Sequence, residues 1–239
     1  MLEFQHGRGI VQRYLSLLRP NMLFDRIDDA GLMKTLTCLN AQVIACEKGK
    51  TIFRQGDAPR FFGMVLSGGV HAVSNDAYGN HSVMWSIGAG ELFAETYVSA
   101  GVNALPVDFV AAQDGMVLIL EYSRVITGCR NNGCLAHSYL VTNLMRSIAR
   151  KNLTLTRKLS IVTRRTTREK LLAYFSMQQE RTGQRRFTIS FDRQTLADYL
   201  GVERSAMCAE LSRMKKDGLI NYNKNEFEML EKPLEDRYG

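Results

Sequence analysis

The chain has 239 residues, 45% of them hydrophobic and 23% charged, with 4 prolines and a formal net charge of +7. That is enough for one large domain or two modest ones with real cores, and it excludes a disordered or low-complexity polymer. No apolar run approaches the ~20 residues of a membrane span, and the opening MLEFQHGRGIVQRYLSLL lacks the apolar centre and cleavage site of a secretion signal, so a cytoplasmic protein with no membrane partner is expected.

Charge is unevenly divided. Residues 1–136 hold 11 Lys and Arg against 12 Asp and Glu, whereas residues 137–239 hold 20 against 12. Without the acidic last fourteen residues, the stretch 137–225 stands at +11. A polyanion partner is therefore expected for the second half alone. The five cysteines (Cys38, Cys46, Cys129, Cys134 and Cys208) are odd in number and never in CxxC spacing, which argues against a disulfide framework, a structural zinc or an iron–sulfur cluster. Cys129 and Cys134 form the one close pair and read as ordinary thiols, with a redox switch as the alternative.

Residues 11–40 carry two short helical patterns, VQRYLSLL and DAGLMKTLTCL, parted at Pro20. From 41 to 125 short β-rich runs (QVIACE, TIFRQ, FFGMVLS, VHAVSN, SVMWSI, DFVAA, MVLILE) alternate with Gly- and Asp-containing turns, the pattern of an antiparallel sandwich or barrel. From about His137 a long helix begins. Val141, Met145, Ile148, Asn152, Leu155, Leu159 and Val162 succeed one another at spacings of 4, 3, 4, 3, 4 and 3. A seam of that period predicts a coiled coil, hence a homodimer, and an Asn at an a position favours pairing in register. The alternative for Asn152 is to face solvent or the sheet domain. Leu140 and Leu144, beside the seam, are placed to pack on the β domain. The seam ends at TRRTTREK (163–170), where a hinge is expected, followed by the helix REKLLAYFSMQQE and the strand RFTISF.

The stretch 191–220, FDRQTLADYLGVERSAMCAELSRMKKDGLI, reads as two helices joined by a tight turn at Gly201. Asp192 is placed to cap the first, with Leu196, Ala197 and Leu200 on its inner face. Met207, Leu211 and Met214 form the inner face of the second, leaving Arg204, Ser205, Cys208, Ala209 and Ser212 outward. DGLINYNKNEFEML reads as a hairpin turning at Asn223–Lys224–Asn225, which completes a winged helix-turn-helix.

The order of these parts, with RQTLADYLGVERSAMCAELSRMKKDGLI at one end and IFRQGDAPRFFGMVLSGGV followed by GAGELFAE at the other, resembles the cyclic-AMP receptor protein/fumarate–nitrate regulator (CRP/FNR) superfamily over nearly the whole chain. The resemblance implies an α+β architecture: a cupin-like β-roll sensor (1–136), a dimerisation helix (137–163) and a C-terminal winged helix-turn-helix (164–239). It implies a transcription regulator that binds pseudo-palindromic double-stranded DNA, with RNA polymerase as a further candidate partner, rather than an enzyme. No P-loop, nucleophile–base pair or paired carboxylates stand out. A cyclic-nucleotide-binding regulatory subunit acting through protein partners is the competing reading, and the basic winged helix argues against it.

In this family the second helix enters the major groove. Arg204 sits where members often place the arginine that reads guanine; the following positions Ser205, Ala206, Cys208 and Ala209 complete the expected reading face. Ser205 and Ala209 depart from the Glu and the basic residue of the best-known members, so no consensus operator is transferred. Arg193 and Gln194 are expected at phosphates, with Arg213, Lys215, Lys216 and Lys224 adding salt-sensitive attraction.

Cyclic-nucleotide-binding members carry Phe-Gly-Glu, then Arg-Ser/Thr-Ala. Here Phe93-Ala94-Glu95 is a fair match, but residues 96–112, TYVSAGVNALPVDFVAA, hold no Lys or Arg. A phosphate buried there would lack its cation, so cyclic AMP is rejected as the effector. An apolar pocket lined by Trp85, Ile87, Phe93, Ala94, Glu95, Thr96, Tyr97, Leu105 and, from the long helix, Thr154 and Leu155 is expected to take an unknown neutral or aromatic small molecule. Equally, these residues simply fill the roll's core. A haem or redox sensor is the rival, with His71, His81 or His137 as axial ligands and Cys46, Cys129 or Cys134 as thiolates. Lone strand histidines are more often structural, and no metal site is assigned.

Overall fold

The computed structural model describes residues 4–5, 13–75, 81–128 and 134–230. Cys129 and the turn DAYGN lie outside the described residues. The chain forms two compact units that part between Arg150 and Lys151.

The first unit is built on one antiparallel sheet. Its strands are β1 (Phe4–Gln5), β2 (Gln42–Cys46), β3 (Thr51–Phe53), β4 (Phe61–Asn75), β5 (His81–Ile87), β6 (Leu92–Phe93) and β7 (Asp108–Glu121). The main path runs β1-β2-β7-β4-β5, with β3 on β7 and β6 on β4. FFGMVLS and VHAVSN, expected as separate strands, form the single strand β4, and DFVAA and MVLILE form β7. The glycines that look like turn signals instead allow bulges: the β4–β7 register shifts around Ser67 and Gly69. Gly68 takes φ +79°, and a Cβ on Gly115 would lie 2.2 Å from the Ser67 carbonyl oxygen. The two strands stay paired across the irregularity because neither glycine carries a side chain.

Helices α1 (Leu15–Leu18), α2 (Asp29–Cys38), α3 (Glu95–Ala100) and α4 (Tyr122–Thr127) belong to this unit. Asp28 caps α2 by accepting from the Gly31 N–H at 2.8 Å. Helix α5 runs Leu135–Val162, longer at its start than the expected His137. Its Leu140 and Leu144 are buried with Leu18, Leu23, Phe24 and Leu32, as their place beside the seam predicts. Asn143 is buried too, and its Nδ2 donates to the carbonyls of Leu23 (3.2 Å) and Asp25 (2.8 Å).

The second unit packs α6 (Thr167–Thr182), β8 (Arg186–Thr188), α7 (Arg193–Leu200), α8 (Arg204–Lys216), β9 (Ile220–Asn223) and β10 (Glu226–Met229) around a core that includes Ile161. Thr166 and Glu169 form a reciprocal capping box that starts α6, and Gly183 at φ +68° ends it. The sheet order is β8-β10-β9, with Phe227 opposite both Phe187 and Tyr222. Phe175 seals it from the helix side, its ring 4.6 Å from that of Phe227. RFTISF yields only the three-residue β8, although Phe187 and Ile189 are buried.

Candidate nucleic-acid interface

The two-helix element has the parts its sequence demands. The Asp192 carboxylate accepts from the Thr195 N–H at 2.7 Å and starts α7; that bond holds the carboxyl below its ordinary range. Gly201, left-handed at φ +60°, ends α7, and α8 begins three residues later. Lys170 of α6 reaches the carbonyls of Leu200 and Gly201 with its Nζ (3.2 and 3.4 Å), so the turn is tied to the rest of the unit.

Helix α8 buries Met207, Leu211 and Met214. Arg204, Ser205, Ala206, Ala209, Ser212 and Arg213 are exposed, and Cys208 is half-buried. The helix is held by a charge cluster whose long-range part, Arg168 with Glu210, carries no local sequence signal. Glu210 is buried, and its carboxylate accepts from Arg168 of α6 at 2.6 Å and from Arg213 at 2.7 Å. Arg168 also pairs with Asp217 at 2.8 Å; hydrogen bonds to these two carboxylates raise its guanidinium pKa further. The Ser205 hydroxyl donates to the Glu203 carboxylate in a short contact.

Arg193, expected at a phosphate, is half-buried within the unit. Its Nη2 donates to the Lys224 carbonyl at 2.6 Å, and its guanidinium lies 5.5 and 5.0 Å from the ring centres of Tyr222 and Phe227. The reason is reach: from the first turn of α7 the side chain meets the β9–β10 wing within the same unit. Gln194 is exposed and donates to Asp198. Lys224 is exposed at the wing tip with φ +51°, in the two-residue connection between Asn223 and Glu226. Lys215 and Lys216 are also exposed.

Among the other expected site residues, Ile87, Phe93, Ala94 and Leu105 come together in one buried cluster of the first unit. The rings of Phe53, Phe93 and Phe109 lie 5.4–6.2 Å apart there, and Tyr97 joins at 6.3 Å from Phe109. Glu95 is buried at the start of α3, behind Ala94 at φ +63°, and Thr96 is exposed. Trp85 stays 42% exposed on β5. Thr154 and Leu155 are exposed on the part of α5 that belongs to the second unit. Along the predicted seam Met145, Leu155 and Leu159 are 67%, 67% and 59% exposed, Asn152 is exposed, and Val141, Ile148 and Val162 are half-buried. His71 pairs with Ser86 through Nδ1 at 3.0 Å, His137 and Cys46 are buried, and burial pushes the Cys46 thiol up. Among the described residues no three His, Cys, Asp or Glu side chains gather to hold a metal.

Comparison with known proteins agrees with this layout. Residues 43–132 match the family model of the cyclic nucleotide-binding domain, and residues 169–233 that of the Crp-like helix-turn-helix domain. No curated protein matches the sequence. Among solved structures, the c-di-GMP responsive global regulator CLP of Xanthomonas campestris superposes with a TM-score of 0.52 at 16% identity, over 86% of this chain and 100% of that one. A cyclic nucleotide-binding domain from Methylobacillus flagellatus gives 0.53 at 14% identity, over 64% and 84%.

Proposed function

The chain belongs to the CRP/FNR superfamily of DNA-binding transcription regulators, and from that premise we propose that it is an effector-responsive homodimer that recognises a specific pseudo-palindromic duplex and does not answer to cyclic AMP. The observation that carries the DNA reading is α8: a helix locked from behind by Glu210, with Arg204, Ser205, Ala206 and Ala209 exposed along its first turns. Arg204 reads guanine through a bidentate contact to O6 and N7, while Gln194, Lys215, Lys216 and Lys224 supply phosphate attraction.

Homodimerisation rests on the exposed apolar seam of α5. Large side chains such as Met145, Leu155 and Leu159 at heptad spacing are costly in water and are covered when two such helices pair. The rejection of cyclic AMP rests on the segment 96–112, which has no cation, and on Leu105 and Val107, which are buried in the apolar cluster with Phe93. The response to an effector is a population shift: a ligand that favours one pairing of the α5 helices raises the share of dimers competent for DNA.

The test is selection of bound duplexes from a random pool, followed by gel shift. An enriched inverted repeat is expected, and Arg204→Ala should lose ~1–3 kcal/mol of discrimination at one base position in each half-site. A pool with no enriched repeat would overturn the DNA reading. A rise in melting temperature with cyclic AMP would overturn its exclusion.

A further inference from the structure

The second unit holds a cavity of about 450 Å³ that the DNA-facing residues do not line. Thr154 and Arg157 of α5 form one wall, α6 contributes Tyr174, Glu180 and Arg181, and Phe191 and Tyr199 close the far side. Its volume lies within the ~300–1,000 Å³ of small-molecule sites.

The lining has two parts. The inner part is aromatic: the Tyr174 ring lies 6.3 Å from that of Phe191, nearly parallel at 17°, and the Tyr199 ring stands 5.5 Å from Tyr174 and 5.3 Å from Phe191. Tyr174 is buried and the other two rings are half-buried, so flat apolar surface faces the space. The outer part is cationic. Arg157 and Arg181 are exposed, and neither guanidinium forms an ion pair among the described residues. Lys158, outside the lining, lies 5.1 Å from the Tyr199 ring centre. Glu180 is the one carboxylate in the lining.

The proposed dimer would leave this space open. At 3.6 residues per turn, Thr154, Arg157 and Ile161 lie roughly 150° around α5 from the face of Asn152, Leu155 and Leu159. The cavity therefore sits behind the seam.

We infer that this cavity binds a planar aromatic monocarboxylate. Its ring system lies against the wall formed by Tyr174, Phe191 and Tyr199, and its carboxylate meets the two guanidinium forks at the rim. Glu180 at the same rim disfavours ligands of higher negative charge, such as polyphosphates. The site is separate from the roll and independent of any effector bound there.

Full-length protein titrated calorimetrically with 2-naphthoate, with neutral 2-naphthamide alongside, tests the inference, and hydrogen–deuterium exchange maps the location. The expected result is one saturable site per chain for 2-naphthoate, with protection in residues 167–182 and 189–199. R157Q/R181Q should bind 2-naphthoate about tenfold more weakly and 2-naphthamide unchanged, since only the charge-assisted contacts are removed. Both arginines are exposed, so the variant's melting temperature should match that of the parent. Absence of saturable binding, protection confined to residues 42–121, or an affinity that R157Q/R181Q leaves unchanged would each overturn it. Duplex binding is not read in this experiment, so its result stands apart from the DNA reading.

Discussion

Arg193 at the start of α7 and Lys224 at the wing tip are joined through a 2.6 Å hydrogen bond from the arginine Nη2 to the lysine carbonyl. The same guanidinium lies over the rings of Tyr222 and Phe227. This side chain thus ties the wing to the helix pair, alongside the core packing of Ile220, Phe227 and Met229. In the proposed complex with DNA, Arg193 would act through the backbone it holds.

That role separates charge from geometry. Arg193→Lys keeps the positive charge but loses the fork and the flat cation, so duplex affinity should fall nearly as far as in Arg193→Ala, about tenfold, with little change in salt dependence. Both variants should lose about 1–2 kcal/mol of stability in the second unit, from a charged hydrogen bond and two ring contacts at a half-buried site. Gel shifts across a salt series decide it. Full affinity in Arg193→Lys would mean that a plain phosphate contact is the whole of its function.

Glu210 is a buried carboxylate between two guanidiniums. Removing one partner of a fully buried pair costs ~3–5 kcal/mol, but Arg168 is 37% exposed and the Arg213 side chain 66%, so solvent takes up part of the loss. Glu210→Ala should therefore cost on the order of 2 kcal/mol. It should also free α8 to shift on α6, so base discrimination should fall along with stability. Chemical denaturation and duplex selection on the same variant measure both. A destabilised variant with intact discrimination would confine Glu210 to stability.

The cap at Asp192 predicts a pH dependence with a definite sign. Its folded-state pKa lies below the ordinary carboxylate value because the Thr195 N–H donates to the ionised form. The stability it contributes is thus complete above the unfolded pKa and is lost as pH falls through the folded one. Asp192→Asn keeps a cap acceptor but cannot titrate. Its melting temperature should match the parent at neutral pH and fall less steeply below about pH 4. Glu121, held down by Arg124 and Ser123, keeps its own acid response in both proteins. Identical acid limbs would show that the cap carries no net linkage.

Helices α7 and α8, their buried faces and the turn at Gly201 were legible because each depends on neighbours within a few positions: for α7 a cap three residues on, for both helices apolar side chains at helical spacing, and between them a glycine where the chain turns left-handed. The heptad spacing predicts a seam along α5, of which Met145, Leu155 and Leu159 are exposed while Val141 and Ile148 pack partly on the first unit's core; the burial of Leu140 and Leu144 follows from their place beside it. What escaped depends on distance along the chain. Arg193 meets Lys224 across 31 residues and Arg168 meets Glu210 across 42, and no local pattern links either pair. Helix α3 has six residues and begins at Ala94 in a left-handed conformation without a side-chain cap, so neither periodicity nor capping announces it. Gly68 and Gly115 read as turns because a glycine in a β pattern signals either a turn or a bulge, and only the pairing of β4 with β7 decides between them.

That pairing can be tested at one position. A methyl group on Gly115 would stand 2.2 Å from the Ser67 oxygen and 2.9 Å from the Gly68 Cα, both backbone atoms that move only if the strands part. Gly115→Ala should cost about 3 kcal/mol in the first unit. Gly88→Ala, where the nearest atom is the flexible Glu91 Oε2 at 3.6 Å, should change stability by less than about 0.5 kcal/mol. Denaturation followed by Trp85 fluorescence reports on this unit selectively, since Trp85 is the one tryptophan in the chain. Equal stabilities would mean that the strands yield at the bulge.

The α5 seam makes the last prediction. Leu155 and Leu159 are exposed, so charging them should not disturb either unit's own core, yet it would place carboxylates opposite carboxylates in a parallel pair. Leu155→Glu/Leu159→Glu should therefore sediment as a monomer with unchanged helix content and lose cooperative binding to both half-sites of an inverted repeat. Asn152→Leu should act in the opposite direction: replacing a polar a-position residue with an apolar one tightens the pair but relaxes its register and strand number. Sedimentation equilibrium of the three proteins distinguishes these effects. A double-glutamate variant that remains dimeric would show that the chains associate through another surface, leaving the apolar side chains of α5 without the partner their spacing requires.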